Sequence, residues 1–298
     1  MSELHSHVRY CSDVVSIADV RCRPSTNRLS AEEQTTTHEV VFPRAGVFVR
    51  HIGHEQHVAD SNHVLFFNPN EPYRVTHPVS GGDDCTSFVF STDILLEALA
   101  VYEPQIYDQP GKPFRFSHAV LAPKTIIRQQ QLRQRLKDGL TSALEVEESA
   151  VDLLSVVAAS AYRRRALPLT RPHAGTLRLW QQWVESVKLL IATQPGANLS
   201  LAEIARSVHC SPFHLARLFR SFVGSSIHDY HLRLRLGLAL ERLVDRPASL
   251  TELALELGFT SHSHFTDTFR RYFDISPSMF RRYASGARLS KLSKILKV

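Results

Sequence analysis

Cysteine is scarce in this sequence, which argues against a disulfide-stabilised fold. Four cysteines occur among 298 residues, at Cys11, Cys22, Cys85 and Cys210. They are too few and too widely scattered for a disulfide framework or for a close-spaced zinc knuckle. We therefore expect reduced thiols, and a Cys22/Cys85 metal or redox pair formed in three dimensions is the alternative.

Long apolar runs are also missing, as are the common catalytic motifs. No apolar run approaches the roughly 20 residues that span a bilayer, and Met1–His5 lacks the basic-then-apolar pattern of a signal peptide. We expect a cytoplasmic protein without a membrane partner. Nothing resembles a nucleophile elbow, a phosphate loop or paired catalytic carboxylates. The sequence therefore predicts no catalytic residues, no cofactor, no bound metal and no enzymatic function.

Charge is present but unevenly distributed. Residues 1–174 carry 18 Lys or Arg and 20 Asp or Glu, whereas residues 175–298 carry 17 and 9. Because neutralisation of phosphates dominates the affinity of proteins for nucleic acids, a local cationic surplus indicates a polyanionic partner. A solvated basic surface is the alternative interpretation.

The hydrophobic pattern changes along the chain from strand-like to helical. Short apolar runs separated by turn-forming clusters predict strands and favour an antiparallel barrel or sandwich. These runs cover residues 39–42, 46–52, 63–67, 73–77 and 85–90. Two helices are predicted from Pro123 to Arg165, where Leu132, Leu136 and Leu140 recur every fourth residue. That leucine stripe either closes the barrel end or pairs with a second subunit, and we favour dimerisation.

An internal repeat is the most informative feature. The hexapeptide at residues 200–205, SLAEIA, returns 49 residues later as SLTELA at residues 249–254. Each copy predicts a capping box, in which the serine hydroxyl accepts from the third helical amide and the glutamate reaches back to the serine amide. Two such starts at fixed spacing, each followed by a second helix, predict two helix-turn-helix units.

The second helix of each unit is predicted to expose a face that fits the DNA major groove. The outward residues are Phe213, Ala216, Arg217 and Arg220 in the first unit, and His262, Ser263, Thr266, Asp267 and Arg270 in the second. Residues 227–244 contain no helix breaker except Gly237, and a helix of this length spans about 27 Å. Because successive major grooves lie roughly 34 Å apart, this connector can set both faces on one side of a duplex.

Over residues 177–283 the sequence resembles the AraC/XylS family of transcriptional regulators. In the second unit the resemblance is carried by Gly258-Phe259, Ser263, Phe265, Phe269, Arg270, Phe273, Ser276-Pro277, Phe280 and Arg281. In the first unit it is carried by His214-Leu215, Arg217-Leu218-Phe219 and Gly224, and in the linker helix by Tyr230, Arg235 and Ala239. It implies a seven-helix DNA-binding domain with base contacts mainly from Phe213, Ala216, Arg217, His262, Ser263 and Asp267. The chain departs from the family pattern at His209 and Asp274, where glycine is common, and at Ile227, where proline is common.

The N-terminal half is similar to the cupin-type sensor domain of that family through two runs of residues, 41–51 and 64–78. The implied fold class is α+β: an antiparallel barrel, a helical dimerisation segment, then an all-helical domain with two helix-turn-helix units joined by a linker helix. The boundaries we predict are 1–122 for the barrel, 123–166 for the dimerisation segment, 167–175 for a linker, 176–286 for the DNA-binding domain and 287–298 for a basic tail. The resemblance implies a homodimer that binds operator DNA, contacts RNA polymerase and responds to an unknown small-molecule effector.

Two rival interpretations concern the N-terminal half. His51, His54 and His57 suggest a metal-dependent cupin enzyme fused to a DNA-binding domain, but an offset of three places strand side chains on opposite faces. The other rival is a constitutive architectural DNA binder without an effector. An inward Arg50 or Arg74 favours an anionic or hydroxylated effector, although we expect both arginines to face solvent.

Overall fold

The computed structural model describes residues 3–139, 141–165, 174–244 and 249–283. Within these ranges all the strands lie before residue 121, and helices dominate after it. The fold is therefore of the α+β class. Leu140, residues 167–173 of the predicted linker and the predicted tail 287–298 lie outside the described residues.

Strands form wherever short apolar runs were predicted, and further strands precede and separate them. Their bounds are β1 Glu3–Cys11, β2 Val15–Arg23, β3 Glu39–Ala45, β4 Phe48–Ile52, β5 Glu55–Ala59, β6 His63–Phe67, β7 Arg74–Thr76, β8 Asp83–Phe90 and β9 His118–Val120. Gly46, with φ +80°, lies between β3 and β4 and turns the chain from one sheet into the next.

The strands make two separate antiparallel sheets. One has the order β1-β2-β8-β3-β6-β9 and the other the order β5-β4-β7. Side chains from both sheets, including Val41, Phe48, Leu65 and Cys85, share one apolar cluster. Since no ladder joins the two sheets in the described part of the chain, the expectation of a closed barrel was wrong, and the sheets face each other across that cluster instead.

The two helices predicted after the sheets are present, preceded by a third that was not predicted. Their bounds are α1 Thr92–Ala100, α2 Pro123–Asp138 and α3 Ala143–Arg165. Leu132 is buried and Leu136 is half-buried, and both belong to a core that also contains residues of β2, β6 and α3. The two described leucines therefore lie in the chain's own core rather than on an exposed pairing face.

Seven helices complete the described chain. Their bounds are α4 Ala174–Thr193, α5 Leu201–Ser207, α6 Pro212–Val223, α7 Ile227–Val244, α8 Leu250–Glu256, α9 His262–Phe273 and α10 Pro277–Tyr283. None of the described helices is long and apolar enough to cross a membrane. At Gly237, near the middle of α7, a Cβ would lie 3.1 Å from the Cβ of Ser61, so this glycine permits the close approach of α7 to the N-terminal half.

A buried ionic network joins the sheets to α7. Asp19 of β2 accepts a hydrogen bond from Nε of Arg133 at 2.8 Å and lies 3.5 Å from Nη2 of Arg44. Nη1 of Arg44 donates in turn to Glu241 of α7 at 3.2 Å, and Gln130 of α2 donates to the same carboxylate. Two buried guanidinium groups are thus neutralised by one carboxylate from each half of the chain, as buried charges require.

Stability should depend on the ionisation of Asp19. Burial by itself raises its pKa, but the attraction of Arg133 and Arg44 outweighs burial and holds the pKa below the ordinary 3.8. The carboxylate therefore contributes stability above its unfolded pKa, and this contribution is lost as pH falls through the folded pKa. We expect Asp19→Asn to lower the free energy of unfolding at neutral pH and the deficit to shrink between about pH 5 and 2. Urea titrations across pH measure this, with the exposed Asp13→Asn as the control; a deficit independent of pH contradicts it.

A second polar contact joins the N-terminal half to the same helix. Asp60 is fully buried and accepts from Nδ1 of His63 at 3.0 Å and from the hydroxyl of Tyr230 at 2.5 Å. Nδ2 of Asn62 donates to the carbonyl oxygen of Tyr230 at 3.1 Å. The turn between β5 and β6 is therefore hydrogen-bonded to the first turns of α7.

Candidate nucleic-acid interface

The first helical unit begins as its sequence predicts. The hydroxyl of Ser200 accepts a hydrogen bond from the amide of Glu203 at 3.2 Å. The carboxylate of Glu203 accepts one from the amide of Ser200 at 2.7 Å, which completes the capping box. His209 takes the left-handed conformation, with φ +53°, in the turn that follows α5. Ser211 then caps α6, and Pro212 occupies its first turn. Short-range signals therefore fix the entry angle of α6.

The second unit repeats this construction with small differences. Ser249 accepts from the amide of Glu252 at 3.2 Å, but the side chain of Glu252 makes no return bond to Ser249 in the described residues, so only half of the predicted box forms. Gly258, with φ +78°, provides the left-handed turn after α8. Ser261 caps α9 through the amide of His264. The second helix of each unit, α6 or α9, is the predicted recognition helix; each is 12 residues long and ends in a left-handed cap, at Gly224 and Asp274 respectively.

The predicted outer face of α6 is exposed. Phe213 is 73% exposed, Arg217 and Arg220 are exposed, and Ala216 is half-buried. The guanidinium carbon of Arg217 lies 5.6 Å from the centroid of the Phe213 ring, which orients the arginine by a cation–π contact. The opposite face supplies the core residues Leu215, Leu218, Phe219 and Val223.

The predicted outer face of α9 is also exposed but is chemically different. Ser263, Asp267 and Arg270 are exposed, whereas His262 and Thr266 are half-buried. Short polar groups suit base edges, and the carboxylate of Asp267 accepts from cytosine but repels phosphate. The carboxylate of Asp267 therefore makes this face less attractive to phosphate than the face of α6, although Arg270 adds one cation.

Helix α7 sets the separation of the two faces. It has 18 residues and hence a length of about 27 Å. Its buried Arg235 donates from Nε to the carbonyl oxygen of Pro195 at 2.7 Å, from Nη2 to that of Ala197 at 2.9 Å and from Nη1 to that of Gly258 at 2.9 Å. One guanidinium group thus ties the loop before α5 to the turn of the second unit, and the two units are held in one orientation.

Sequence reasoning missed two exposed cations beside these faces. Arg206 lies in the last turn of α5 and Arg271 lies on α9, next to Arg270. Both are exposed cations on the helices that build the two units. The surplus of basic residues indicated that such side chains exist, but only helix orientation identifies them.

The three histidines of the rival enzyme interpretation do not converge. The β4–β5 register pairs His51 with Gln56 and Arg50 with His57, so His51 and His57 lie on opposite faces of the sheet. His51 bonds Thr76 at 2.7 Å, and His57 lies 3.3 Å from Glu55. Among the described residues, no group of metal-binding geometry contains them.

The expectation that Arg50 faces solvent was wrong, whereas Arg74 is exposed. Arg50 is 1% exposed, and its guanidinium carbon lies 3.7 Å from the centroid of the Phe67 ring. Nη1 donates to the carbonyl oxygen of Phe66 at 2.8 Å, while Nε and Nη2 have no hydrogen-bond partner. Burial lowers its pKa to about 10, so the group remains cationic at neutral pH. Strand alternation shows which residues share a face but not which face is interior.

Comparison with known proteins identifies the family of the C-terminal helical part of the chain. Residues 181–283 match the family described as "Helix-turn-helix domain". The probable transcription factor PqrA of Proteus vulgaris is 30% identical over 100 residues, which cover 34% of this chain and 78% of that protein. The Msm operon regulatory protein of Streptococcus mutans is 32% identical over 100 residues, 34% of this chain and 36% of that protein. The chain spans less than half the length of several curated relatives that it matches.

The solved structures that match include some that cover most of this chain. ToxT from Vibrio cholerae is 12% identical, with 93% of this chain and 100% of that chain covered and a TM-score of 0.35. A TM-score this low does not define a common arrangement of the two chains.

Proposed function

Because this chain belongs to the AraC-type family of helix-turn-helix transcriptional regulators, we propose that it regulates promoters by placing α6 and α9 in successive major grooves of double-stranded DNA. The observation that carries this proposal is the simultaneous exposure of both recognition faces on units fixed by Arg235 of α7. The cationic surplus of residues 175–298 supplies the attraction to phosphate. Phe213, Ala216, Arg217 and Arg220 read the first groove, and His262, Ser263, Thr266, Asp267 and Arg270 read the second.

Arg217 should be the main base-reading residue of α6. A guanidinium group on an exposed major-groove face pairs with two acceptors of guanine, and each such contact is worth about 1–3 kcal/mol of discrimination. We expect Arg217→Ala to weaken binding to the preferred sequence by that amount and to relax preference at one base position. In vitro selection of bound DNA at stated salt, followed by affinity measurement, tests both effects.

The matched control is Arg21→Ala, which removes the same charge from an exposed position on β2, in the other half of the chain. It should leave the selected sequence unchanged. If Arg217→Ala weakens binding equally on all sequences, Arg217 contacts only phosphate. If the intact chain prefers no sequence over bulk competitor DNA, the proposed function is refuted.

We further propose that the N-terminal half binds an effector that carries an anionic group. The support is Arg50, whose two unpaired donors form a fork that fits a carboxylate or phosphate. A ligand that binds only the native state raises the thermal midpoint by mass action. Anionic metabolites should therefore raise the midpoint of the wild type but not of Arg50→Met, with Arg74→Met as the exposed control. If no anionic compound does so, the constitutive architectural alternative is favoured.

The proposal also covers the oligomeric state and the effect on transcription. The chain acts as a homodimer that recruits RNA polymerase, and effector occupancy shifts the arrangement of its halves. In this proposal residues 1–122 bind the effector, residues 123–166 mediate assembly and residues 176–286 bind DNA. Since Leu132 and Leu136 are committed to the chain's own core, exposed side chains elsewhere on residues 123–166 must form the dimer contact. Sedimentation of the full chain with and without DNA measures the stoichiometry.

A further inference from the structure

A cluster of metal-ligating side chains lies where the two sheets meet. Cys22 near the end of β2, His77 just after β7 and Asp83 at the start of β8 place one donor atom each within 4.8 Å of one another. We propose that this cluster binds one thiophilic divalent cation of the zinc class. The proposal concerns the N-terminal half and does not depend on DNA binding.

Strand register brings these residues together although 61 positions separate the first from the last. Cys22 is directly opposite Asp83 on the β2–β8 ladder. Nε2 of His77 lies 2.7 Å from Oδ1 of Asp83. Gly82 lies so close to the carbonyl oxygen of Cys22 that a Cβ at this glycine would overlap it. Backbone packing therefore fixes the pairing of Cys22 with Asp83 before any ion arrives.

Cys85 is the candidate for a fourth ligand, beside the three residues whose donor atoms already lie together. It follows Asp83 by two positions on β8, so both side chains lie on one face of the strand. Its Sγ lies 3.1 Å from Oδ2 of Asp83. Two sulfurs, one imidazole and one carboxylate make a set that suits tetrahedral zinc. Zinc bonds of about 2.0–2.3 Å require donor atoms roughly 3.3–3.8 Å apart. The contact between His77 and Asp83 must therefore open from 2.7 Å when the ion enters, whereas donors separated by up to 4.8 Å must move closer.

Burial and charge are also those of a metal site. His77 and Asp83 are each 6% exposed and Cys85 is 3% exposed, while the half-buried Cys22 leaves a route from solvent. Each cysteine loses its thiol proton to solvent as the cation binds, and the charge of the cation stabilises the thiolates.

A bound ion would connect the two sheets. Cys22, Asp83 and Cys85 belong to the six-stranded sheet, whereas His77 continues the chain from β7 of the three-stranded sheet. Because no hydrogen-bonded ladder joins these sheets in the described residues, four metal bonds would cross-link what main-chain pairing leaves separate. A disulfide is less suited to this geometry, since Cys22 and Cys85 are diagonal rather than opposite on the ladder.

The full chain, purified with a phosphine reductant, tests the proposal. We expect about one zinc ion per chain after incubation with zinc chloride and removal of excess, and we expect cobalt(II) to give intense tetrahedral visible bands and a thiolate charge-transfer band. Zinc should raise the thermal midpoint. Cys22→Ser and His77→Gln should each weaken affinity more than about 100-fold, beyond the 10–100-fold typical of removing an outer partner.

Matched controls are Cys11→Ser and Cys210→Ser, which remove thiols remote in sequence from the cluster and should retain full zinc content. Thermal unfolding without metal verifies that Cys22→Ser is folded, since serine replaces a half-buried cysteine of similar size. The proposal is overturned if the wild type holds no zinc, if folded Cys22→Ser binds it as tightly, or if mass spectrometry shows a Cys22–Cys85 disulfide that persists under reductant.

Discussion

Gly258→Ala should destabilise the second helical unit by at least about 2 kcal/mol. Gly258 has φ +78°, which an alanine adopts only with strain, and a Cβ there would overlap the carbonyl oxygen of Gly196 and lie 2.7 Å from Nη2 of Arg235. The overlap with backbone cannot be relieved by rotating a side chain. Urea unfolding followed by circular dichroism measures the loss, and affinity for the selected DNA sequence should fall with it because α9 is displaced.

Gly224→Ala is the matched control. Gly224 has φ +81° at the C-cap of α6, but nothing lies within 4 Å of the position its Cβ would take. This substitution therefore incurs only the conformational strain, about 1 kcal/mol. If the two substitutions lower the free energy of unfolding equally, the close packing around Gly258 adds nothing to the cost of Gly258→Ala.

Glu241→Ala should cost about 3 kcal/mol and release the N-terminal half from α7. The carboxylate neutralises Arg44, which is 2% exposed in its side chain, and it also lies 3.6 Å from Nη1 of Arg133. Its removal leaves Asp19 to balance two buried guanidinium groups. Urea unfolding measures the free energy, and hydrogen exchange of the α7 amides measures the release.

Glu256→Ala provides the comparison, because Glu256 pairs with Arg242 on the surface, where both side chains are more than half exposed. Exposed ion pairs contribute about 0–1 kcal/mol. If Glu241→Ala costs no more than Glu256→Ala, the ionic link between the two halves does not stabilise the protein.

Local signals account for the part of the structure that sequence predicted. These signals act over three or four residues, so they can be recognised from the sequence without knowing the fold. They are the serine caps of α5 and α8, the proline that begins α6 and the apolar periods within each helix. The same is true of α7, whose predicted bounds and observed bounds agree. The outward faces of α6 and α9 follow directly, since helix geometry fixes which residues oppose the buried stripe.

The contacts that the sequence did not predict join residues that lie far apart in the chain. Arg44 meets Glu241 across 197 positions, and Cys22 meets Asp83 through a ladder between the second and eighth strands. No local pattern specifies such a register. The leucine stripe of α2 was ambiguous for the same reason, because an apolar face buried in the chain's own core has the same period as one buried in a partner.

The two predicted recognition helices share a length and a burial pattern, but their exposed faces differ, since α6 presents Phe213 and α9 presents Asp267. Under the proposed function this difference gives the molecule a direction along DNA, because turning the bound chain end for end would bring the aromatic ring of α6 to the bases that the carboxylate of α9 otherwise meets. We therefore expect the sequence bound by a single chain not to be a palindrome, so that its polarity sets which way the N-terminal half points along the duplex.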